Sequence, residues 1–97
     1  MYGTVAKLIV KAGKIEELIH HMNVEYKNMP GAKDIFMYQM DEEANMMFIA
    51  VVFSDKNSYI ENSERPESNV QYEKMMEFLD AEPEWHDGQV IFNRKFT

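Results

Sequence analysis

The chain has 97 residues, of which 45% are hydrophobic, 12% aromatic and 28% charged; this suits one hydrophobic core, is too short for two, and does not match the composition of a disordered chain. A formal net charge of −7 opposes phosphate backbones and anionic membrane surfaces, so neither nucleic acid nor membrane is expected as a partner. With no cysteine, disulfides, thiolate zinc sites and a cysteine nucleophile are excluded.

Residues 1–97 therefore read as a single domain. Residues 2–10 alternate as a strand, with Thr4, Ala6, Leu8 and Val10 on an uncharged face and Val5, Lys7 and Ile9 on the other. This segment has no basic flank or small-residue cleavage site, and no apolar run approaches the roughly 18 residues of a membrane span. A cytoplasmic location is expected. After the break at Lys11-Ala12-Gly13, Ile15, Leu18, Ile19, Met22 and Tyr26 form one stripe of an amphipathic helix predicted over residues 14–28 and stopped by Pro30-Gly31.

Residues 32–40 and 46–53 read as central strands joined by the polar loop Asp41-Glu42-Glu43-Ala44-Asn45. The second of these is apolar throughout, where a half-solvated strand would alternate, so both sheet faces should be covered. One helix layer covers one face, and a partner subunit is the economical cover for the other. A short helix follows, opened by a Ser54 or Asp55 cap and ending near Ser63, and then a helix from Pro66 to about Asp80 carrying Tyr72, Met75, Met76 and Leu79 on one stripe. Residues 81–88 read as a loop in which Asp87-Gly88 supplies turn chemistry, and residues 89–92 as the fourth strand. Residues 93–97 extend that strand or lie on a neighbouring subunit. The order is the split β-α-β-β-α-β pattern of an α+β, ferredoxin-like domain with an antiparallel sheet.

No motif specific for a reaction is present: the nucleophile elbow, the P-loop, the dinucleotide fingerprint and the zinc-protease helix motif are all missing. His21 flanks the apolar stripe, with Glu25 one turn on to raise its basicity, which suits a general base; the competing reading is an exposed i, i+4 pair. A third ligand is lacking, so no metal is expected. Tyr38, Tyr59 and Tyr72 can each bring a hydroxyl to a pocket wall or sit as core aromatics. Trp85-His86-Asp87-Gly88 puts an aromatic, an imidazole and a carboxylate just before the last strand, at a pocket mouth or in a turn whose indole caps the core. The chain has nine methionines, and among them Met22 and Met76 either fill irregular core space or soften a pocket for a flat ligand.

The element order, the Lys11-Ala12-Gly13-Lys14 turn, Pro30-Gly31 before a strand, and Phe53-Ser54-Asp55 leading to Tyr59 together resemble the antibiotic biosynthesis monooxygenase domain family over residues 5–92. The resemblance implies a dimeric α+β barrel, two ferredoxin-like domains packed sheet to sheet as a homodimer. It also implies a pocket between sheet and helices in each, and oxidation of aromatics or quinols without metal or flavin, so no cofactor is expected. Haem-degrading members use an Asn on the first strand with a Trp and a His in the second helical region; here Thr4, Ala6 and Leu8 face inward and Tyr72 stands near the His position. That triad is absent. The resulting expectation is an oxygenase acting on a small aromatic or quinol-type substrate. His21 or His86 would be its base, Tyr72 or Tyr59 its orienting hydroxyl, and Tyr38, Tyr59, Met22, Met76 and Trp85 its substrate contacts. The alternative is a non-catalytic ligand-binding or assembly module of the same shape.

Overall fold

A computed structural model describes residues 1–96. The strands β1 (Tyr2–Ile9), β2 (Ala32–Gln39), β3 (Met46–Phe53) and β4 (Glu84–Gln89) form one antiparallel sheet in the order β2-β3-β1-β4. Three helices, α1 (Ile15–Glu25), α2 (Lys56–Glu64) and α3 (Pro66–Met76), occupy the connections. The architecture is α+β and ferredoxin-like, as the element order predicts. None of the helices is long and apolar enough to cross a membrane.

Period-two alternation along β1 and β3 builds the core, because successive side chains leave opposite faces of a strand. Ala6, Leu8 and Val10 from β1 and its end form one core with Met47 and Ile49 from β3, Leu18 and Met22 of α1, Met75 of α3, and Leu79. The helix-side face of β1 is thus the uncharged one, Thr4 included. Gly3 sits where a Cβ would run into the Val51 carbonyl, so the approach of β1 to β3 requires glycine there. Gly31 adopts φ 83°, and its carbonyl accepts from the Ser54 amide (2.8 Å) and hydroxyl (3.0 Å), which ties the entrance of β2 to the exit of β3.

Three boundaries differ from expectation. Helix α1 ends at Glu25 rather than at residue 28, because the Gln71 side-chain amide of α3 donates to the Glu25 carbonyl at 2.7 Å while Tyr26 leaves helical geometry and packs against the core. Helix α3 ends at Met76 rather than near residue 80; the chain tightens so that Leu79 bridges Val10, and Asp80 and Phe78 bond the Ile9 carbonyl and the Lys11 amide.

The largest correction is β4, which covers Glu84–Gln89 rather than residues 89–92. Its partner β1 begins at Tyr2, which pairs with Gln89, and the Val90 amide donates to the Met1 carbonyl at 2.9 Å as the final rung. Residues 91–96 have no strand of their own chain left to pair with, so β4 stops short of them. Asp87-Gly88 is accordingly strand, not turn. Residues 91–96 carry no regular structure, and Ile91, Phe92 and Phe96 are exposed. Thr97, the last residue of the predicted 93–97 extension, lies outside the described residues.

Candidate functional site

Between the helix-side face of the sheet and the α2–α3 layer lies a cavity of about 460 Å³, in the range that holds a drug-sized ligand. Its sheet wall is Thr4, Ile35, Ile49, Val51, Phe53, Trp85 and Asp87, every one an inward position in the strand registers. Met22, Tyr26 and Met29 close the side of α1, and Tyr59, Tyr72 and Met75 form the aromatic and thioether roof. Asn62, Ser63, Ser68, Asn69 and Gln71 line the rim where α2 meets α3.

A hydrogen-bonded pair sits in this wall. Tyr59 Oη donates to Asp87 Oδ1 at 2.8 Å, bringing α2 onto the edge strand. Asp55 sets the position of Tyr59: its side chain accepts from the Ser58 amide at 2.8 Å and caps α2, and that bond holds the Asp55 carboxyl below its ordinary range. The Tyr59 ring is held by Phe53 (centroids 5.5 Å, edge-on) and Tyr2 (5.4 Å, tilted). Burial first, and then the bond to Asp87, push the Tyr59 phenol up to about 12, with the Thr4 hydroxyl opposing in part. Burial, with Glu25 nearby, also raises Tyr26 to about 12. Both phenols are protonated donors at neutral pH. Among the described residues that line the cavity, Asp87 alone carries a formal charge there.

Four of the predicted residues converge on this cavity: Met22, Tyr59, Tyr72 and Trp85, with Tyr72 and Trp85 rings 6.4 Å apart. Four do not. His21 is buried at 5% exposure on the other side of α1, between the rings of Tyr26 and Phe78, and its Nε2 has no hydrogen-bond partner. Glu25 pairs instead with Lys74 of α3 at 3.2 Å, so the His21–Glu25 base does not assemble. His86 lies opposite Val5 in the register, on the face of the sheet away from the helices. Tyr38 shares that outer face, 54% exposed opposite Phe48. Met76 packs against the core, while its neighbour Met75 turns to the cavity.

From sequence, the Asp87 carboxylate stands beside Trp85 at a pocket mouth or in a turn, with no catalytic or binding role. A signal for it exists in the Trp85-His86-Asp87 alternation, which puts Asp87 on the face of Trp85 once the segment is a strand; reading it as a turn conceals that. Among the described residues, no group of three or more His, Cys, Asp or Glu is placed to hold a metal ion.

Solved structures share this fold at low sequence identity. A conserved protein from Methanosarcina mazei Go1 superposes with TM-score 0.79 at 21% identity, covering 91% of this chain and 90% of that one. A candidate antibiotic biosynthesis monooxygenase from Chloroflexus aurantiacus J-10-fl gives 0.80 at 18% identity, covering 97% and 96%. A mutant of SnoaB, a cofactor-independent oxygenase from Streptomyces nogalater, gives 0.79 at 11% identity, covering 95% and 94%. No family model and no curated protein matches the sequence. The fold is that of the antibiotic biosynthesis monooxygenases, as the short motifs suggested.

Proposed function

We propose that this monooxygenase-like fold houses a cofactor-independent oxygenase for a small phenolic or quinol-type aromatic. The observation that carries the reading is the Tyr59–Asp87 pair set in the wall of an otherwise apolar and aromatic cavity. Asp87 is the base: it takes the hydroxyl proton of the substrate, and Tyr59 steadies the carboxylate. Neither His21 nor His86 lines the cavity, which is why the role passes to Asp87.

The phenolate formed carries carbanion character at the ring carbon opposite its oxygen. That carbon gives an electron to O2, the resulting radicals join in a C–O bond, and the proton held by Asp87 completes a hydroperoxide. Loss of water, using the ring hydrogen, leaves a quinone. Phenol plus O2 thus becomes quinone plus water. Trp85 and Tyr72 flank the ring, and the thioethers of Met22 and Met75 adapt to its outline.

The test is oxygen uptake by the purified, chelator-treated chain against anthrones, quinols and flavonols. Uptake above background is expected, with Asp87→Asn lowering turnover about 100-fold or more, as removal of a general base does. Background uptake across the panel overturns the oxygenase; ligand-induced thermal stabilisation without uptake would then support the binding module instead.

We further propose that the outer sheet face packs on a second copy of the chain. Val5, Phe36 and Tyr38 lie there at 48%, 54% and 54% exposure, with Phe48 and Val52 beside them, and the protomer has no second helix layer to cover them. A two-fold axis lets one self-complementary patch bury both copies, which yields the sheet-to-sheet barrel.

A further inference from the structure

The polar corner of the cavity has an uneven supply of protons. Tyr59 commits its hydroxyl proton to Asp87 at 2.8 Å, and the Thr4 hydroxyl is taken up by its neighbours, the His86 carbonyl at 3.3 Å and the Tyr59 oxygen. Asp87 is a carboxylate with room for further acceptance, since it has about four lone-pair sites and the phenol fills one. What faces the ligand at this corner is therefore acceptor oxygen only.

The rim is committed only in part: among the described residues no bond engages the Asn62 amide or the Tyr26 and Tyr72 hydroxyls, and Arg65 donates to Asn62 Oδ1 at 3.3 Å, while the other rim donors are taken. The Gln71 amide donates to the Glu25 carbonyl at 2.7 Å, the Ser63 hydroxyl to the Ile60 carbonyl at 2.7 Å, the Ser68 hydroxyl to the Asn62 carbonyl, and the Asn69 amide to Glu73 at 3.5 Å. Four cations have partners outside the lining: Lys74 with Glu25, Arg65 with Glu67, Lys7 with Glu84, and Lys56 over the Tyr2 ring. None of these four lines the cavity.

Resting on the reading that this cavity takes a small aromatic, we propose that Asp87 is its specificity determinant: the site accepts an aromatic that brings a hydrogen-bond donor and rejects one that brings a carboxylate. A donor completes the corner with a charge-assisted bond. Asp87 is exposed in the empty cavity, so an ether seated there displaces water from the carboxylate without replacing its bonds, and an anion meets like charge. The discrimination acts on binding and is independent of whether oxygen then reacts.

Three probes of one shape separate these cases: 2-naphthol, 2-methoxynaphthalene and 2-naphthoate, titrated by calorimetry at about pH 7 into the intact chain. 2-Naphthol is expected to bind about tenfold or more tightly than the methyl ether, a charge-assisted bond's worth, with 2-naphthoate weakest. In Asp87→Asn, checked for folding by its melting curve, the gap between naphthol and naphthoate closes to about threefold or less. In Tyr59→Phe, which keeps the carboxylate, the order of the three probes is retained. Asn69→Lys, a cation at the rim, strengthens naphthoate selectively. Equal binding of the three probes by the unaltered chain, an undiminished gap in a folded Asp87→Asn, or no binding of any probe overturns the assignment. A naphthol preference without oxygen uptake on any substrate overturns the oxygenase and keeps this inference; oxygen uptake with equal binding does the reverse.

Discussion

Tyr59 and Tyr26 are two of the five tyrosines, and their phenols, lifted to about 12, make a measurable statement about alkaline stability. In the unfolded chain both titrate near 10, so between about pH 10 and 12 the unfolded state releases protons that the folded state keeps. Their contribution is fully present below pH 10 and is lost as pH rises through 12. Tyrosinate absorbance should accordingly show two phenols titrating late, and Tyr59→Phe should leave one; titration of all five together near 10 would contradict the burial described. His21 makes the opposite case. Its imidazole is buried with Nε2 unpartnered, which costs free energy without serving the cavity. His21→Leu should keep oxygen uptake and ligand binding, with a melting temperature unchanged or higher, whereas a loss of activity in a folded variant would return His21 to the site.

At the scale of elements, α2 is the piece that delivers Tyr59. It has no fully buried residue, so little packing holds it, and its start depends on the Asp55 side chain taking the Ser58 amide. Because that bond lowers the Asp55 carboxyl, its stabilisation is present above the unfolded pKa and is lost as pH falls through the folded one. Asp55→Ala should melt lower at neutral pH, and the difference from the parent chain should vanish in acid; a gap that persists at low pH would show the cap is not what holds α2. The start of α2 at a Ser54 or Asp55 cap, the helix restart at Pro66 and the span of β3 are legible in sequence, since each depends on neighbours along the chain; that Asp55 is the cap comes from the structure. The end of α1 and the position of β4 are not, because Gln71 and the start of β1 decide them from a distance.

For the whole molecule, the uncovered sheet face and the cavity divide the sheet between them. Val5 and Ile9 point to one side, Thr4 and Ala6 to the other, the division that strand alternation predicts. Sedimentation at micromolar concentration should return twice the chain mass, and Val5→Glu, placing like charges across the two-fold axis, should return the monomer with its cavity chemistry reduced or lost only as far as the fold loosens. A monomeric parent chain would remove the dimer proposal and leave the cavity argument standing.

The sequence by itself determined the class of fold, the helix-side face of β1 and the apolar span of β3, because period and capping are local physics; it left Met22, Tyr59, Tyr72 and Trp85 open between a pocket and the core or a turn. Only the tertiary structure decided that Asp87 lines the cavity and that His21, His86 and Tyr38 do not. Strand register and the crossing of helices settle which side chains share a space, and those depend on residues some eighty positions apart, such as Thr4 and Asp87, meeting across one hydrogen-bonded ladder.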